Sequence, residues 1–155
     1  MNLGKNLKIE SVSRLKPTPP VQLSCLQTVA EAVVLLREEG VGCLLVMSDG
    51  QLVGIFTERD LIRRILAQGK PFSLTLRDCM TPNPTTVGSN EPIASAIQKM
   101  EGGGYRHLPV LDETGRPVGV LSVKRIVRYL VEYFPGKVYN LAPDQKASPE
   151  SPDGA

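Results

Sequence analysis

The chain has 155 residues, of which 41% are hydrophobic and 22% are charged, and its formal net charge is +2; this balance is typical of a folded soluble domain and does not favour a nucleic-acid-binding protein. Its three cysteines are widely spaced and it has a single histidine, which argues against a disulfide framework, a zinc site and a histidine-based metal cluster. No stretch approaches the roughly 20 apolar residues of a membrane span, so we expect a cytoplasmic protein without a membrane segment.

The chain begins with an arm, residues 1–14, in which polar and apolar residues follow no clear period. The proline-rich segment that comes next, 16–20, is incompatible with a helix. We expect the arm to dock against the rest of the chain, and the first folded unit to cover residues 15–75.

The first half of this unit predicts a strand followed by a helix. A short strand is predicted at 21–24, and Thr28 is a suitable N-cap for a helix over 29–39. Apolar residues in that helix recur at the spacing of one helical face, and Gly40 ends it.

The second half of the unit predicts a hairpin and another helix. The continuous apolar run at 43–47 is typical of a buried strand, and the turn at 48–50 leads into a strand that ends at Thr57. Apolar spacing then predicts a helix over 58–68. The unit therefore has the order β-α-β-β-α.

The junction between that strand and helix gathers polar chemistry. Thr57, Arg59 and Asp60 bring a hydroxyl, a guanidinium and a carboxylate to the N-terminus of a helix. Free backbone N–H groups and the helix dipole favour a phosphate there, and a carboxylate can accept hydrogen bonds from the hydroxyls of a sugar. Gly54, in the strand, would allow another backbone or a ligand to approach closely.

The same pattern occurs a second time over residues 76–134. The helical apolar stripe recurs 64 residues further along the chain, and the strand and helix that follow recur 65 residues further, with Gly119 matching Gly54 and Ser122 matching Thr57. The hairpin turn of the second unit is one residue longer than that of the first, which accounts for the change in offset from 64 to 65 residues. At one position the match fails, because Arg125 stands where Asp60 would recur.

Each unit is too small to bury both faces of its sheet, so the two should pack together about a pseudo-two-fold axis with two equivalent clefts. Beyond them, residues 135–155 are rich in Pro, Ser and Asp towards the end. We expect this tail to be largely disordered, with Val138, Tyr139 and Leu141 as its docking residues.

In this order and spacing the two units resemble a tandem pair of cystathionine β-synthase (CBS) domains over about residues 14–134. The resemblance rests on the stretch 54–60 in the first unit, on 105–110 and 119–122 in the second, and on a linker at 77–84 that is similar to those of many bacterial members. It implies an α/β fold of two β-α-β-β-α repeats with pseudo-two-fold symmetry. It also implies a homodimer and an adenosine-containing ligand, namely AMP, ADP, ATP or S-adenosylmethionine, bound between the repeats.

The resemblance assigns roles to particular residues. Thr57 would face phosphate, with Arg59 nearby, and Asp60 would accept from the ribose hydroxyls. The base would contact the segment 80–85 and Tyr105, with Ile55 as an apolar wall. The implied site consists of Ile55, Thr57, Arg59, Asp60, Met80, Thr85, Tyr105, Arg106 and His107.

Because Arg125 replaces the acid in the second unit, we expect one occupied cleft. Structural roles stay open for each site residue: Thr57 and Asp60 as helix caps, His107 in a structural hydrogen bond, and Arg59 and Arg106 in solvent.

No catalytic triad spacing or phosphate-binding loop is present in the sequence. The favoured function is a non-catalytic sensor that binds an adenosine ligand and acts on an effector protein which the sequence does not identify. A structural dimerisation scaffold with decayed sites is the alternative. Nucleic-acid binding is disfavoured because an aromatic platform is missing. The sequence leaves open which ligand binds and whether magnesium bridges its phosphates.

Overall fold

The computed structural model of the protein describes residues 2–140. It is an α/β structure with one four-stranded sheet, in the order β1-β2-β3-β4, and one three-stranded sheet, in the order β5-β6-β7. The strands are β1 (Gln22–Ser24), β2 (Cys43–Ser48), β3 (Gln51–Thr57), β4 (Thr81–Pro82), β5 (Val87–Gly88), β6 (His107–Leu111) and β7 (Pro117–Ser122). The helices are α1 (Leu3–Ile9), α2 (Val29–Glu39), α3 (Glu58–Asp60), α4 (Ile93–Gly103), α5 (Val123–Tyr133) and α6 (Pro135–Tyr139).

The first half forms as local signals in the sequence predict. Thr28 and Glu31 make a reciprocal capping box at the start of α2, and Gly40 ends the helix in the left-handed region at φ 63°. The β2–β3 hairpin turns through Asp49 and Gly50, both at positive φ, as a tight hairpin requires. The predicted order β-α-β-β-α is therefore confirmed in this half.

The second half repeats that order. β5 pairs in parallel with β6 and β6 pairs antiparallel with β7, as β1, β2 and β3 do in the first half. A register shift also recurs at equivalent points of the two hairpins, between Val46 and Met47 and between Val110 and Leu111.

Each half lends a segment to the sheet of the other. β4, from the linker that leads into the second half, pairs with β3 of the first half, with Thr81 opposite Ile55. Thr18, from the segment that leads into the first half, forms the equivalent bridge to Val120. Because these exchanges match, the halves are related by pseudo-two-fold symmetry, and Cys43, Leu45, Ile55 and Val120 form a small core between them.

The N-terminal arm docks, as expected, but it contains more structure than its sequence pattern predicts. It forms α1 and a 3₁₀ turn (Val12–Leu15). Val12 and Leu15 are buried with the core of the second half, and Asn6 donates a hydrogen bond to the Tyr129 hydroxyl. The arm therefore completes the core of the second half and not that of the unit it precedes in the sequence.

Two helical segments differ from expectation. The helix predicted over 58–68 starts as α3 and continues as a π-helix (Leu61–Leu66). The tail was expected to be largely disordered, yet Pro135 starts the short helix α6, because proline suits a first helical position. Val138 and Tyr139 lie in α6 and stay partly exposed, whereas Leu141 and the rest of the tail lie outside the described residues.

Within residues 2–140, no helix is both long enough and apolar enough to cross a membrane. The same part of the chain contains no group of three or more side chains suited to holding a metal ion.

Candidate functional site

A cavity of about 470 Å³ lies between the two halves. Three segments form most of its wall: the end of β3 with the helical turns after it, the linker at 81–85, and the turn at 103–107 that leads into β6. The pseudo-symmetric exchange of linkers brings these segments together, since the linker pairs with β3 before it enters the second half. The cavity is therefore a joint product of both repeats.

Eight of the nine residues predicted from the sequence line this cavity: Ile55, Thr57, Arg59, Asp60, Thr85, Tyr105, Arg106 and His107. Met80 does not line it. Its side chain packs against Gly54, where an added Cβ would lie 2.9 Å from Met80 Cγ, and it belongs to the apolar core of the first half. The Met80 side chain fills the space over Gly54, so a ligand contact of this residue stays a prediction.

Asp60 is the only buried charged side chain in the described part of the chain, with 8% of its surface exposed. Its Oδ2 accepts from the backbone N–H of Thr57 at 3.0 Å and from the Thr57 hydroxyl at 3.2 Å. Its Oδ1 accepts from the Thr81 hydroxyl at 3.0 Å and pairs with Arg64 Nε at 3.3 Å. Both oxygens of the carboxylate therefore already have two donors each.

This arrangement makes Thr57 and Asp60 a reciprocal capping box at the start of α3, the structural role that the sequence leaves open. The Thr57 hydroxyl accepts from the Asp60 backbone N–H at 3.2 Å and directs its own proton to Asp60. For Thr57 to donate to a phosphate, that proton would have to leave the carboxylate. A sugar diol would likewise have to displace the donors on Oδ1.

The donors on Oδ1 are the ones that can move. The Arg64 side chain is 45% exposed, and it also donates to the Met80 carbonyl at 3.2 Å. The Thr81 hydroxyl belongs to a side chain that lines the cavity. If these two side chains rotated away, Asp60 Oδ2 would keep its hydrogen bonds from Thr57, and Oδ1 would be free to accept hydrogen bonds from a ligand.

Tyr105 and Thr85 close one side of the cavity. The Thr85 hydroxyl donates to the Tyr105 hydroxyl at 3.1 Å. The Tyr105 ring lies directly over Gly103, where a Cβ would collide with ring atoms. The absence of a side chain at Gly103 therefore leaves room for the Tyr105 ring at the cavity wall, and an aromatic ring can stack on a nucleobase.

His107 lies deeper, at the start of β6, next to Gly42 and Glu58. A Cβ added to Gly42 would lie 3.6 Å from His107 Nε2 and 2.9 Å from a carboxylate oxygen of Glu58. Burial lowers the pKa of His107, the nearby Glu58 carboxylate opposes that shift, and Arg106 and Lys124 reinforce it. Burial therefore disfavours the protonated form of His107.

Sequence reasoning did not assign several cavity residues, above all Arg63 and Arg64. Each follows a predicted site residue by four positions, Arg63 after Arg59 and Arg64 after Asp60, so helical periodicity could have placed them on the same face. Glu58 is a further addition, and Thr81, which the sequence places only within the segment 80–85, also lines the cavity. The cavity wall carries four arginines, together with the carboxylates of Glu58 and Asp60.

The pseudo-symmetric cleft has different chemistry. Arg125 occupies the position equivalent to Asp60, and its Nε donates to the Thr18 hydroxyl at 3.4 Å. Ser122 makes no side-chain cap to α5, and the first turn of that helix contains no acid. The second cleft therefore has neither the capping box nor the diol acceptor of the first.

Comparison with protein families matches residues 12–67 and 76–132 to the CBS domain. Among curated proteins, the meiotically up-regulated gene 70 protein of Schizosaccharomyces pombe is 34% identical over 105 residues, which is 67% of this chain and 14% of that protein. The chain spans less than two thirds of the length of the first curated relatives it matches, 14% of one and 56% of the next.

Solved structures show the same likeness. The CBS domain pair of protein MJ0100, in complex with 5′-methylthioadenosine and S-adenosyl-L-methionine, has a TM-score of 0.72 and 30% identity, covering 83% of this chain and 98% of that one. The CBS domain protein PAE2072 from Pyrobaculum aerophilum, complexed with AMP, has a TM-score of 0.69 and 28% identity, covering 75% and 89%.

Proposed function

Because the chain belongs to the CBS domain family and carries two copies of the domain, we propose that it is a non-catalytic regulatory module that binds one adenosine-containing ligand in the cavity between its repeats. The observation that carries the proposal is the buried carboxylate of Asp60 in the wall of a cavity of about 470 Å³. The ligands named for the solved relatives share an adenosine group, and this cavity offers a partner for each of its parts.

The ribose binds at Asp60. Its two vicinal hydroxyls are donors, and an ionised carboxylate is a matching acceptor that forms charge-assisted hydrogen bonds. On binding, the diol takes the places of Thr81 and Arg64 on Oδ1, so the carboxylate stays satisfied and is not left with an empty, buried lone pair.

The base lies between the Tyr105 ring and the apolar side chain of Ile55, both in the cavity wall. Stacking on an aromatic face is favourable for any nucleobase. Thr85, held by its hydrogen bond to Tyr105, fixes the orientation of that ring.

The charges of the wall favour a ligand that carries phosphate. Arg59, Arg63 and Arg106 line the cavity, and Arg64 becomes available once it leaves Asp60. Guanidinium groups recognise phosphate oxygens in a bidentate manner. We therefore place AMP, ADP or ATP ahead of S-adenosylmethionine, whose sulfonium centre adds a positive charge to a wall already rich in arginine.

The assembled form is a homodimer. Ile62 and Leu66 are exposed by 59% and 54%, and their pseudo-symmetric equivalents Val127 and Val131 by 52% and 37%. Two apolar stripes at equivalent positions suit a second copy of the chain, because exposed apolar patches usually mark an interface. Light scattering tests this: Ile62→Asp should give a monomer, whereas Val34→Asp, on the exposed face of α2, should leave a dimer.

A structural scaffold without a ligand is the second candidate, and it is favoured by the complete set of donors on Asp60. In that case the carboxylate only caps α3. The two candidates differ in whether any adenosine ligand stabilises the protein.

A thermal-shift panel separates them. The wild-type protein is titrated with AMP, ADP, ATP and S-adenosylmethionine, each with and without magnesium; a ligand at about 100 times its dissociation constant adds roughly 2.7 kcal/mol. We expect the phosphate-bearing ligands to raise the Tm of the wild-type protein. The double variant Arg59→Gln/Arg106→Gln should bind these ligands more weakly, whereas its affinity for adenosine, which has no phosphate, should change less. If S-adenosylmethionine raises the Tm most, the proposed preference of the cavity for phosphate-bearing ligands is wrong. If none of the ligands raises the Tm, the protein is a structural scaffold without an adenosine ligand.

A further inference from the structure

A second, smaller cavity of about 100 Å³ lies between the N-terminal arm and α5; we name it the α5 cavity. Arg14 of the arm and Lys16, at the start of the proline-rich segment after it, contribute to its wall, and α5 contributes Arg125 and Arg128. The only carboxylate in the wall is Glu132. The adenosine cavity and the α5 cavity share no lining residue.

The four cations of the α5 cavity are poorly compensated. Arg14 pairs with Glu10 at 3.6 Å and lies over the Tyr133 ring. Arg125 has the Thr18 hydroxyl, a neutral partner, at 3.4 Å. The side chains of Lys16 and Arg128 make no hydrogen bond or ion pair within residues 2–140. Even with Glu10 and Glu132 counted, positive charge is in excess.

One of these cations lies at the start of a helix, and the side chains of the other three are exposed. Arg125 lies in the first turn of α5, and Arg128 follows at i+3 on the same side of the helix. A helix N-terminus carries partial positive charge, so cations there are destabilising and an anion is stabilising. In the first half the equivalent turn has Asp60, which removes the problem.

Backbone geometry also favours the cluster. Lys16 has a left-handed conformation at φ 51°, which is unfavourable for a residue with a Cβ by about 1 kcal/mol. This bend follows the buried anchor Leu15 and turns the chain so that Lys16 contributes to the α5 cavity.

We propose that the α5 cavity binds a phosphate group, as a site separate from the adenosine cavity. A volume of about 100 Å³, against about 470 Å³ for the adenosine cavity, suits a tetrahedral oxyanion better than a nucleoside. Arginine guanidinium groups match phosphate geometry, and lysine adds a point charge. Arg125, which stands where the first half has an acid, thus contributes a cation to this cavity.

The test measures the Tm of the protein during titration with inorganic phosphate, with sodium chloride keeping the ionic strength constant. The starting protein is Arg59→Gln/Arg106→Gln, in which anion binding to the adenosine cavity is weakened. We expect a saturable rise in Tm that Arg125→Gln and Arg128→Gln each weaken by at least tenfold in apparent affinity. Arg37→Gln, a change of one exposed arginine on α2, should leave the phosphate response unchanged.

Stability without phosphate provides an independent readout. If Arg128 binds an anion, Arg128→Gln should keep or raise the Tm in phosphate-free buffer, because it relieves like-charge repulsion. A purely structural arginine would give a lower Tm. Loss of the phosphate response in Arg37→Gln, or its survival in Arg125→Gln/Arg128→Gln, overturns the proposal.

A parallel titration with glycerol 3-phosphate identifies the source of the group. Binding weaker than that of inorganic phosphate indicates a site for the free anion, and equal or tighter binding indicates a site for the phosphate group of a larger molecule. Absence of a saturable response to both probes also refutes the site. The proposal that an adenosine ligand binds in the larger cavity does not depend on this result, because the thermal-shift panel with adenosine ligands tests that cavity separately.

Discussion

The difference between the two helix starts predicts that Arg125→Asp stabilises the protein. In the first half, Thr57 and Asp60 cap α3 through two backbone N–H groups, whereas Ser122 does not cap α5. A carboxylate at position 125 would recreate the box, because Ser122 has the same extended backbone as Thr57, at φ −119° against −116°. It could also accept from the Thr18 hydroxyl, as Asp60 accepts from Thr81.

The expected gain follows from the contacts made and lost. A completed N-cap contributes about 1 kcal/mol, an acid in place of a base at the helix start about 0.3–1 kcal/mol, and relief of repulsion from Arg128 about 0.2–0.5 kcal/mol. The bond lost is the long one from Arg125 to Thr18, at 3.4 Å. We expect a net gain of about 1–2 kcal/mol, which raises Tm by about 2–4 °C for each kcal/mol in a chain of this size.

Urea unfolding in phosphate-free buffer measures this gain. Arg125→Ala serves as the control, since it removes the positive charge and provides no acceptor for the backbone. Arg125→Asp should exceed Arg125→Ala by about 1 kcal/mol, the contribution of the cap. Equal stability of the two variants would mean that the missing capping box does not account for the difference between the halves.

Three further predictions concern the first half and the interface between the halves. Asp60→Asn should lower the free energy of unfolding by about 1–3 kcal/mol, because an amide cannot accept hydrogen bonds from all four donors. Isothermal titration calorimetry should show that the affinity for the adenosine ligand falls at least tenfold. Unchanged affinity would exclude Asp60 from ribose binding. Gly54→Ala should cost about 1–3 kcal/mol in urea unfolding, since its Cβ would lie 2.9 Å from the Thr81 carbonyl oxygen, whereas Gly102→Ala, with open space around it, should not destabilise the protein. Burial lowers the pKa of His107 in the folded state, so as pH falls the unfolded chain takes up a proton at this residue before the folded protein does. The free energy of unfolding should therefore fall as pH drops from about 7 through the unfolded pKa near 6.5. His107→Gln should flatten that part of a pH–stability profile, and an equally steep profile in the variant would show that other groups cause the pH dependence.

Elements with strong local signals were predictable from the sequence. The bounds of α2 agree with the prediction, because the Thr28 cap and Gly40 define the helix, and β2 starts at Cys43 as predicted, because a continuous apolar run defines the strand. Elements that depend on distant partners were not predictable. β4 contains only Thr81 and Pro82 and forms because β3 offers it an edge, and the arm folds because the second half has an uncovered core.

The candidate site shows the same division. The repeat placed the strand-to-helix junction, so Thr57, Arg59 and Asp60 were found from sequence. The linker could be located but the direction of its side chains could not, because that depends on its register against β3. As a result the sequence named Met80, whose side chain packs on Gly54, as a site residue, and it placed Thr81, whose hydroxyl bonds to Asp60, only within the base-contacting segment 80–85.

The expectation of a single occupied cleft rests on Arg125 and stays a prediction. The structure adds its physical basis, since Arg125 contacts Thr18 at the position where Asp60 contacts Thr81. A base at that position cannot accept from a sugar diol.

Native mass spectrometry of the protein with excess AMP, ADP or ATP would test the central claim most directly, by counting the ligands bound to each chain. We predict one ligand per chain for the wild type and a much lower occupancy for Asp60→Asn at the same ligand concentration, with an unchanged oligomer mass and charge-state distribution showing that the variant is assembled and folded as the wild type is. Two ligands per chain, or one ligand that remains bound to Asp60→Asn, would contradict it.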